Sequence, residues 1–250
     1  MRSHVTLAAV LILGLAQAAP AQSPADRERA RIHERLGWEN MKAEAWDAAA
    51  KSFSQAVEID PDFDFAYYGL GRAQMAQRKY SDAITTLTKC RDLYRAQAGR
   101  QFSNAQEAQR YRNNRLIEID DQIRQVQSGP QTASRQDMLR QLQNYRRDLQ
   151  NEIQRGTNMT IGGSVPAYVS LSLGSAYFRA GQLAEAEREY KAAIEADSKS
   201  GEALQNLAVV YMETGRFADA AASIAAAKKT GFRVNPALEE DIKSRRKSGS

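Results

Sequence analysis

Few side chains in this 250-residue sequence are of the types that do chemistry, and their spacing does not gather them into a site. The two histidines, His4 and His33, stand apart, and there is no H-x-x-x-H or C-x-x-C pair, so neither a zinc nor a dithiol site is implied. Asp60, Asp62 and Asp64 alternate with Pro61 and Phe63 in a way that resembles the start of a calcium loop. The glycine and the distal glutamate that such a loop needs are missing at the required spacing. Helix-capping carboxylates in a turn account for them better. No G-x-S-x-G elbow and no phosphate-cradling glycine loop occurs. The reading is of a non-enzyme with no catalytic residue, no metal and no cofactor.

The elements around these residues are helical by composition. Aromatic residues make up 8% and charged residues 26%, and only six prolines and fifteen glycines interrupt the chain. Residues 1–18 read as a secretory signal peptide: Arg2 is the positive start, Val5 to Leu15 is a short apolar run, and cleavage is expected after Ala18 or Ala21. The apolar run is well short of the ~20 residues that a membrane span needs. A periplasmic or secreted chain with no span after cleavage is therefore expected. The single cysteine, Cys90, excludes an internal disulfide, so the fold must rest on packing. The net charge is +5, and its local excess lies between Arg95 and Arg155, with eleven arginines, no lysine and seven acids. Spread along helices, this reads as a solvated face and not as the dense basic patch of a nucleic-acid binder.

An internal period organises the rest. Gly37 and Gly71 lie 34 residues apart, as do Ala49 and Ala83, and Phe53 and Leu87. The same interval separates Gly174 from Ala208, Tyr177 from Tyr211, Gly181 from Gly215 and Ala186 from Ala220. Leu36-Gly37 with Ala49-x3-Phe53, Tyr67-x2-Leu70-Gly71 with Ala83-x3-Leu87, Leu173-Gly174-x2-Tyr177 with Ala186-x3-Tyr190, and Leu207-Ala208-x2-Tyr211 with Ala220-x3-Ile224 follow one motif. That motif resembles the tetratricopeptide repeat, a helix pair in which a small residue lets two helices approach and large ones fill the space between them. Departures occur at His33, Asn40, Gln74 and Ser198, where the repeat prefers aromatic residues, tyrosine or proline. The resemblance implies an all-α fold, a helical-hairpin solenoid of four repeats. Repeats one and two are placed at 26–95, repeats three and four at 167–232, and a capping helix at 235–247. In this frame Leu36 fills the space between helices, and Cys90 takes the small-residue position of Ala56, Ala193 and Ala227.

Residues 96–157 break the period. Leu116, Ile119, Ile123 and Val126 form one apolar stripe, and Met138, Leu142, Tyr145, Leu149 and Ile153 another. Ser128-Gly129-Pro130 is a turn signal between them. Folded there, Ile123 faces Met138, Ile119 faces Leu142 and Val126 faces Arg135. This is the register of an antiparallel coiled-coil hairpin interrupting the solenoid; two decayed repeats are the alternative. The preceding helix is expected to run on through Gly99 into the first arm, and the arms to project roughly 30 Å from the solenoid. A flexible loop is placed at 158–166, with a glycosylation sequon at Asn158.

The resemblance also implies a concave groove lined by the first helix of each repeat. Arg31, Trp38, Met41, Phe65, Tyr68, Arg72, Met75, Tyr168, Leu171, Phe178, Arg179 and Met212 fall on its outward positions, a set rich in the residues that dominate interfaces. The expected partner is an apolar or aromatic segment of another protein, with no nucleic acid. The competing reading is a structural protein that forms homo-oligomers through the coiled-coil hairpin.

Overall fold

A computed structural model describes residues 23–130, 132–156 and 164–248. The signal segment, both cleavage positions and Asn158 lie outside the described residues. Among the described residues the chain forms helices and no strand. They are α1 (Pro24–Lys42), α2 (Trp46–Ile59), α3 (Asp64–Ala76), α4 (Tyr80–Gln97), α5 (Ala105–Gln127), α6 (Ala133–Arg155), α7 (Ala167–Arg179), α8 (Leu183–Ala196), α9 (Gly201–Glu213), α10 (Phe217–Lys229) and α11 (Pro236–Ser248). None is long and apolar enough to cross a membrane.

Helices α1–α2, α3–α4, α7–α8 and α9–α10 form antiparallel pairs. Small residues set their approach: a Cβ on Gly71 would come within 2.5 Å of Leu87, and one on Gly37 within 2.6 Å of Phe53. The turn inside each pair needs one left-handed residue, a conformation that glycine adopts at no steric cost. Gly181 and Gly215 supply it in the later pairs, at φ 76° and 74°. Glu44 and Arg78 hold the same position in the first two, at φ 56° and 61°. Asn40, where the repeat prefers tyrosine, donates from its amide to Ser52 Oγ at 3.3 Å and so joins α1 to α2 by another route.

Four expectations are corrected. The pairs are not split into two stacks: α4 packs directly on α7, as α2 does on α3 and α8 on α9. Tyr94 and Tyr168 share a hydrogen bond of 2.9 Å across this junction, and Arg91 Nη1 reaches Glu189 Oε1 at 2.5 Å. Second, α4 does not continue into α5. Ala98 is extended and Gly99 is left-handed, φ 77°, which ends the helix. Asn104 then caps α5 by accepting from Glu107 N at 2.9 Å. Third, Leu36 does not fill the space between helices. It is 44% exposed, beside Ile32 at 51%. Among the described residues no helix pair packs on that face of α1.

The fourth correction concerns the insertion. Helices α5 and α6 pair antiparallel, with Arg112 Nε 3.2 Å from Glu152 and Arg146 Nε 2.6 Å from Asp120. They do not project into solvent. The hairpin lies back on the stack, and Val126, Met138 and Leu142 join one core with Trp38, Phe65, Tyr68, Tyr94 and Tyr168. The residues that the stripes assign to the seam thus face the aromatic surface of the stack as well as the partner arm. Nor are the arginines simply solvated: Arg112 and Arg115 are 1% and 4% exposed.

At the far end Val234 and Ile242 are buried where α11 packs on α10, and Lys228 Nζ meets Glu239 at 2.6 Å.

Candidate functional site

The first helices of the pairs, α1, α3, α7 and α9, neighbour one another and form the inner wall of the stack. On this wall the sequence places aromatic residues that meet in space. Trp38 lies edge-on to Phe53 with centroids 5.2 Å apart and contacts Phe65 at 5.3 Å. Phe65 stacks on Tyr68 at 5.8 Å, and Tyr68 meets Tyr168 edge-on at 5.0 Å. The hairpin covers part of this ladder, and the Tyr68 hydroxyl points at Met138 Sδ, 3.9 Å away.

One buried ion pair fixes the hairpin in place. Arg115 of α5 places Nη2 2.8 Å from Asp64 Oδ2 and Nη1 3.2 Å from Asp64 Oδ1. Gln97 Nε2 donates to the same carboxylate at 3.1 Å. Asp64 therefore does more than start α3: it is fully buried and anchors the insertion. Burial alone pulls the Arg115 guanidinium down, but Asp64 beside it outweighs that and holds it charged. Tyr94 and Tyr145 flank it, with ring centroids 5.5 and 5.8 Å away. Arg31 reaches Glu118 of α5 at 3.4 Å, and Lys42 Nζ reaches Ser128 Oγ at the hairpin tip at 2.5 Å. Between these contacts lies Glu34, 3% exposed. Burial pushes its carboxyl up to about 8, the Trp38 indole pulls the other way, and Asp121 of α5 adds to the rise.

Two sizeable cavities lie between hairpin and stack. The larger, about 490 Å3, is lined by Trp38, Phe65, Tyr68 and Arg72, by Gln125, Val126, Pro130, Thr132, Arg135 and Met138 of the hairpin tip, and by Glu202, Gln205, Asn206 and Phe232. The other, about 300 Å3, lies between α6 and the junction of α4 with α7, and Tyr94, Leu142, Tyr145 and Tyr168 contribute its apolar lining. At its edge Arg140 bridges to Asp197 at 2.8 Å.

The structure thus sorts the residues read from the sequence. Trp38, Phe65, Tyr68 and Arg72 come together in the larger cavity, and Tyr168 lines the smaller one. Arg31 faces the hairpin. Met41 and Met75 pack half-buried against the core that holds Trp38. Leu171, Phe178 and Met212 belong to the core of the later pairs, and Arg179 is exposed at the end of α7. The hairpin residues of the larger cavity were not read as site residues. Their one visible signal was Arg135, a charged residue standing opposite Val126 in an otherwise apolar register. Arg135 Nη1 donates to the Val126 carbonyl at 3.2 Å. Among the described residues no group of His, Cys, Asp or Glu is arranged to hold a metal. Cys90 is fully buried, and its thiol donates to the Asp64 carbonyl at 3.2 Å.

Two family models described as tetratricopeptide repeat match the sequence, one over residues 40–98 and one over 171–232. No curated protein matches it. Several solved structures are similar. PilW, a type IV pilus biogenesis factor, is 15% identical, with 86% of this chain and 85% of that one covered and a TM-score of 0.39. TTC0263, a thermophilic TPR protein of Thermus thermophilus, is 18% identical over 88% of this chain and 97% of its own, with a TM-score of 0.33. YrrB, a TPR protein with an unusual peptide-binding site, is 16% identical over 91% and 100%, with a TM-score of 0.29. The two matched segments lie on either side of the hairpin, from the end of α1 to the end of α4 and from α7 to the turn after α10, and the chain therefore carries tetratricopeptide repeats on both sides of it.

Proposed function

We propose that this chain is an exported, non-enzymatic binding scaffold of the cell envelope, and that it holds a segment of a partner protein in the part of its concave groove that the hairpin leaves open. The observation that carries the reading is the larger cavity, about 490 Å3, with aromatic and polar walls from three separate parts of the chain. Its volume falls within the roughly 300–1,000 Å3 of ligand pockets, and about half of its wall is polar, which suits a segment with both apolar and polar groups. The alternative, oligomerisation through the hairpin, has less to draw on, because Val126, Met138 and Leu142 are already buried against the chain's own repeats.

Photo-crosslinking tests it. A benzoylphenylalanine at Asn206, on the cavity wall, is compared with one at Lys51, on the exposed outer face of α2. The expected result is one envelope protein captured at Asn206 and not at Lys51, with a peptide from that protein competing for the site. Equal capture at both positions, or no competition, refutes the groove reading.

A further inference from the structure

Most buried or half-buried arginines of this chain have an acid beside them. Arg91 meets Glu189, Arg115 meets Asp64, and Arg140 meets Asp197 and Asp137. Arg72 and Arg135 differ. Both are half-buried and line the larger cavity, one from α3 and one from the hairpin tip. Arg72 lies over the Tyr68 ring, 5.8 Å from its centroid, and Arg135 donates to the Val126 carbonyl. Among the described residues neither has a carboxylate partner within salt-bridge distance. Two guanidinium groups facing one cavity repel each other. Burial and the charge of Arg72 together press Arg135 below the usual arginine range. Trp38, Tyr68 and Met138 form the apolar floor beside them. Among the described residues the only carboxylate on the cavity wall is Glu202, which reaches it from α9.

We infer that the larger cavity is a composite site for an extended peptide segment carrying an aromatic or aliphatic side chain next to an Asp or Glu. The apolar side chain rests on Trp38, Tyr68 and Met138, and the carboxylate bridges Arg72 and Arg135. This deepens the groove reading above and rests on it. Charge complementarity chooses the occupant: an anion between two guanidinium groups gains charge-assisted hydrogen bonds and removes their mutual repulsion. The Arg135 guanidinium lies over Gly129, in space that a Cβ at the tip would occupy, on its way to the Val126 carbonyl. The insertion therefore supplies half of the recognition as well as covering part of the groove.

The test pans a random heptapeptide phage library on the full purified chain and then measures synthetic versions of the selected peptides by fluorescence anisotropy. The expected consensus pairs Asp or Glu with an adjacent apolar residue. R72Q/R135Q weakens binding about ten-fold or more, the loss expected when hydrogen bonds to a charged group are removed. Replacing the peptide acid by its amide costs the same in the original chain and nothing further in R72Q/R135Q. R72K/R135K keeps both charges, controls for folding and restores part of the affinity. Peptides that lose binding on Asn206→Trp, which fills the cavity, but show no acid preference and ignore R72Q/R135Q overturn the carboxylate assignment and leave the groove reading standing. If no selected peptide depends on the cavity, both fall.

Discussion

The Asp64–Arg115 pair gives a sharp test of how the hairpin is held. The Arg115 side chain is 5% exposed and the Asp64 side chain 0%. Removing one partner of a buried ion pair leaves the other charge uncompensated, at a cost of about 3–5 kcal/mol. In Asp64→Ala the guanidinium keeps Glu118 on its own helix, 3.1 Å away, which places this variant at the lower end. In Arg115→Met the carboxylate keeps, among the described residues, only Gln97 as a side-chain hydrogen-bond donor, which places it at the upper end. The double variant removes both charges and leaves the flanking rings of Tyr94 and Tyr145 a methionine to pack on. Its cost is expected to fall below the sum of the singles by about 2 kcal/mol or more, within the range that contacting residues show. Urea unfolding of the four proteins closes the cycle, and amide exchange along α5 and α6 shows whether the hairpin stays down. Singles that add to within about 0.5 kcal/mol would mean that the two side chains do not interact, and the docked hairpin would be refuted.

Two further predictions follow from groups held against their ordinary preference. Glu34 keeps its proton to about pH 8 in the folded chain against an ordinary value of 4.5. The folded state thus binds the extra proton between these values, and stability falls as pH rises through that window. The charges around it are Arg31 and Arg35 on its own helix and Glu118 and Asp121 on α5. Glu34→Gln is expected to match the original chain near pH 4.5 and to exceed it by up to about 5 kcal/mol above pH 8, at about 1.4 kcal/mol per pH unit; a difference in urea midpoint that does not change with pH contradicts this. Arg78, exposed and at φ 61°, stands where Gly181 and Gly215 stand in the later turns. Arg78→Gly is expected to stabilise by about 1 kcal/mol in the same assay, because the left-handed strain of a residue with a Cβ is removed; a loss of stability contradicts it.

Much of the fold was legible because close packing writes a period into the sequence. A small residue must recur wherever two helices cross, so Gly37, Gly71, Gly174 and Ala208 mark the pairs. The turns were only half legible, since Glu44 and Arg78 take a left-handed position that side chains do not advertise. The hairpin was readable from its stripes and from Ser128-Gly129-Pro130, but its destination was not. A stripe shows that a face will be buried and not what will bury it. The anchoring pair, Asp64 and Arg115, lies 51 residues apart in sequence, and no period relates the two. Leu36 was misread for a related reason: the motif assigns it a neighbour, and the first described pair has none on that side. The candidate site followed the same division. Trp38, Phe65, Tyr68 and Arg72 come from the repeat phase, whereas Arg135 and Glu202 enter the cavity only through the way the hairpin and the later pairs come together.

On the proposed groove reading, that meeting limits how a partner can bind. Replacing the hairpin in the groove would mean giving up the burial of Val126, Met138 and Leu142, at about 1.5–3 kcal/mol for each side chain. It would also expose one side of the Asp64–Arg115 pair, which is anchored across two helices. A peptide that filled the whole groove would have to return all of this before it gained anything. One that enters beside the hairpin loses none of it and finds Arg72 and Arg135 already in place. The second route is therefore the favoured one, and it predicts that amide exchange in α5 and α6 slows or stays level when peptide binds. Faster exchange there on binding would mean that the hairpin is displaced, and the cavity would then be a gap under a lid and not the site itself.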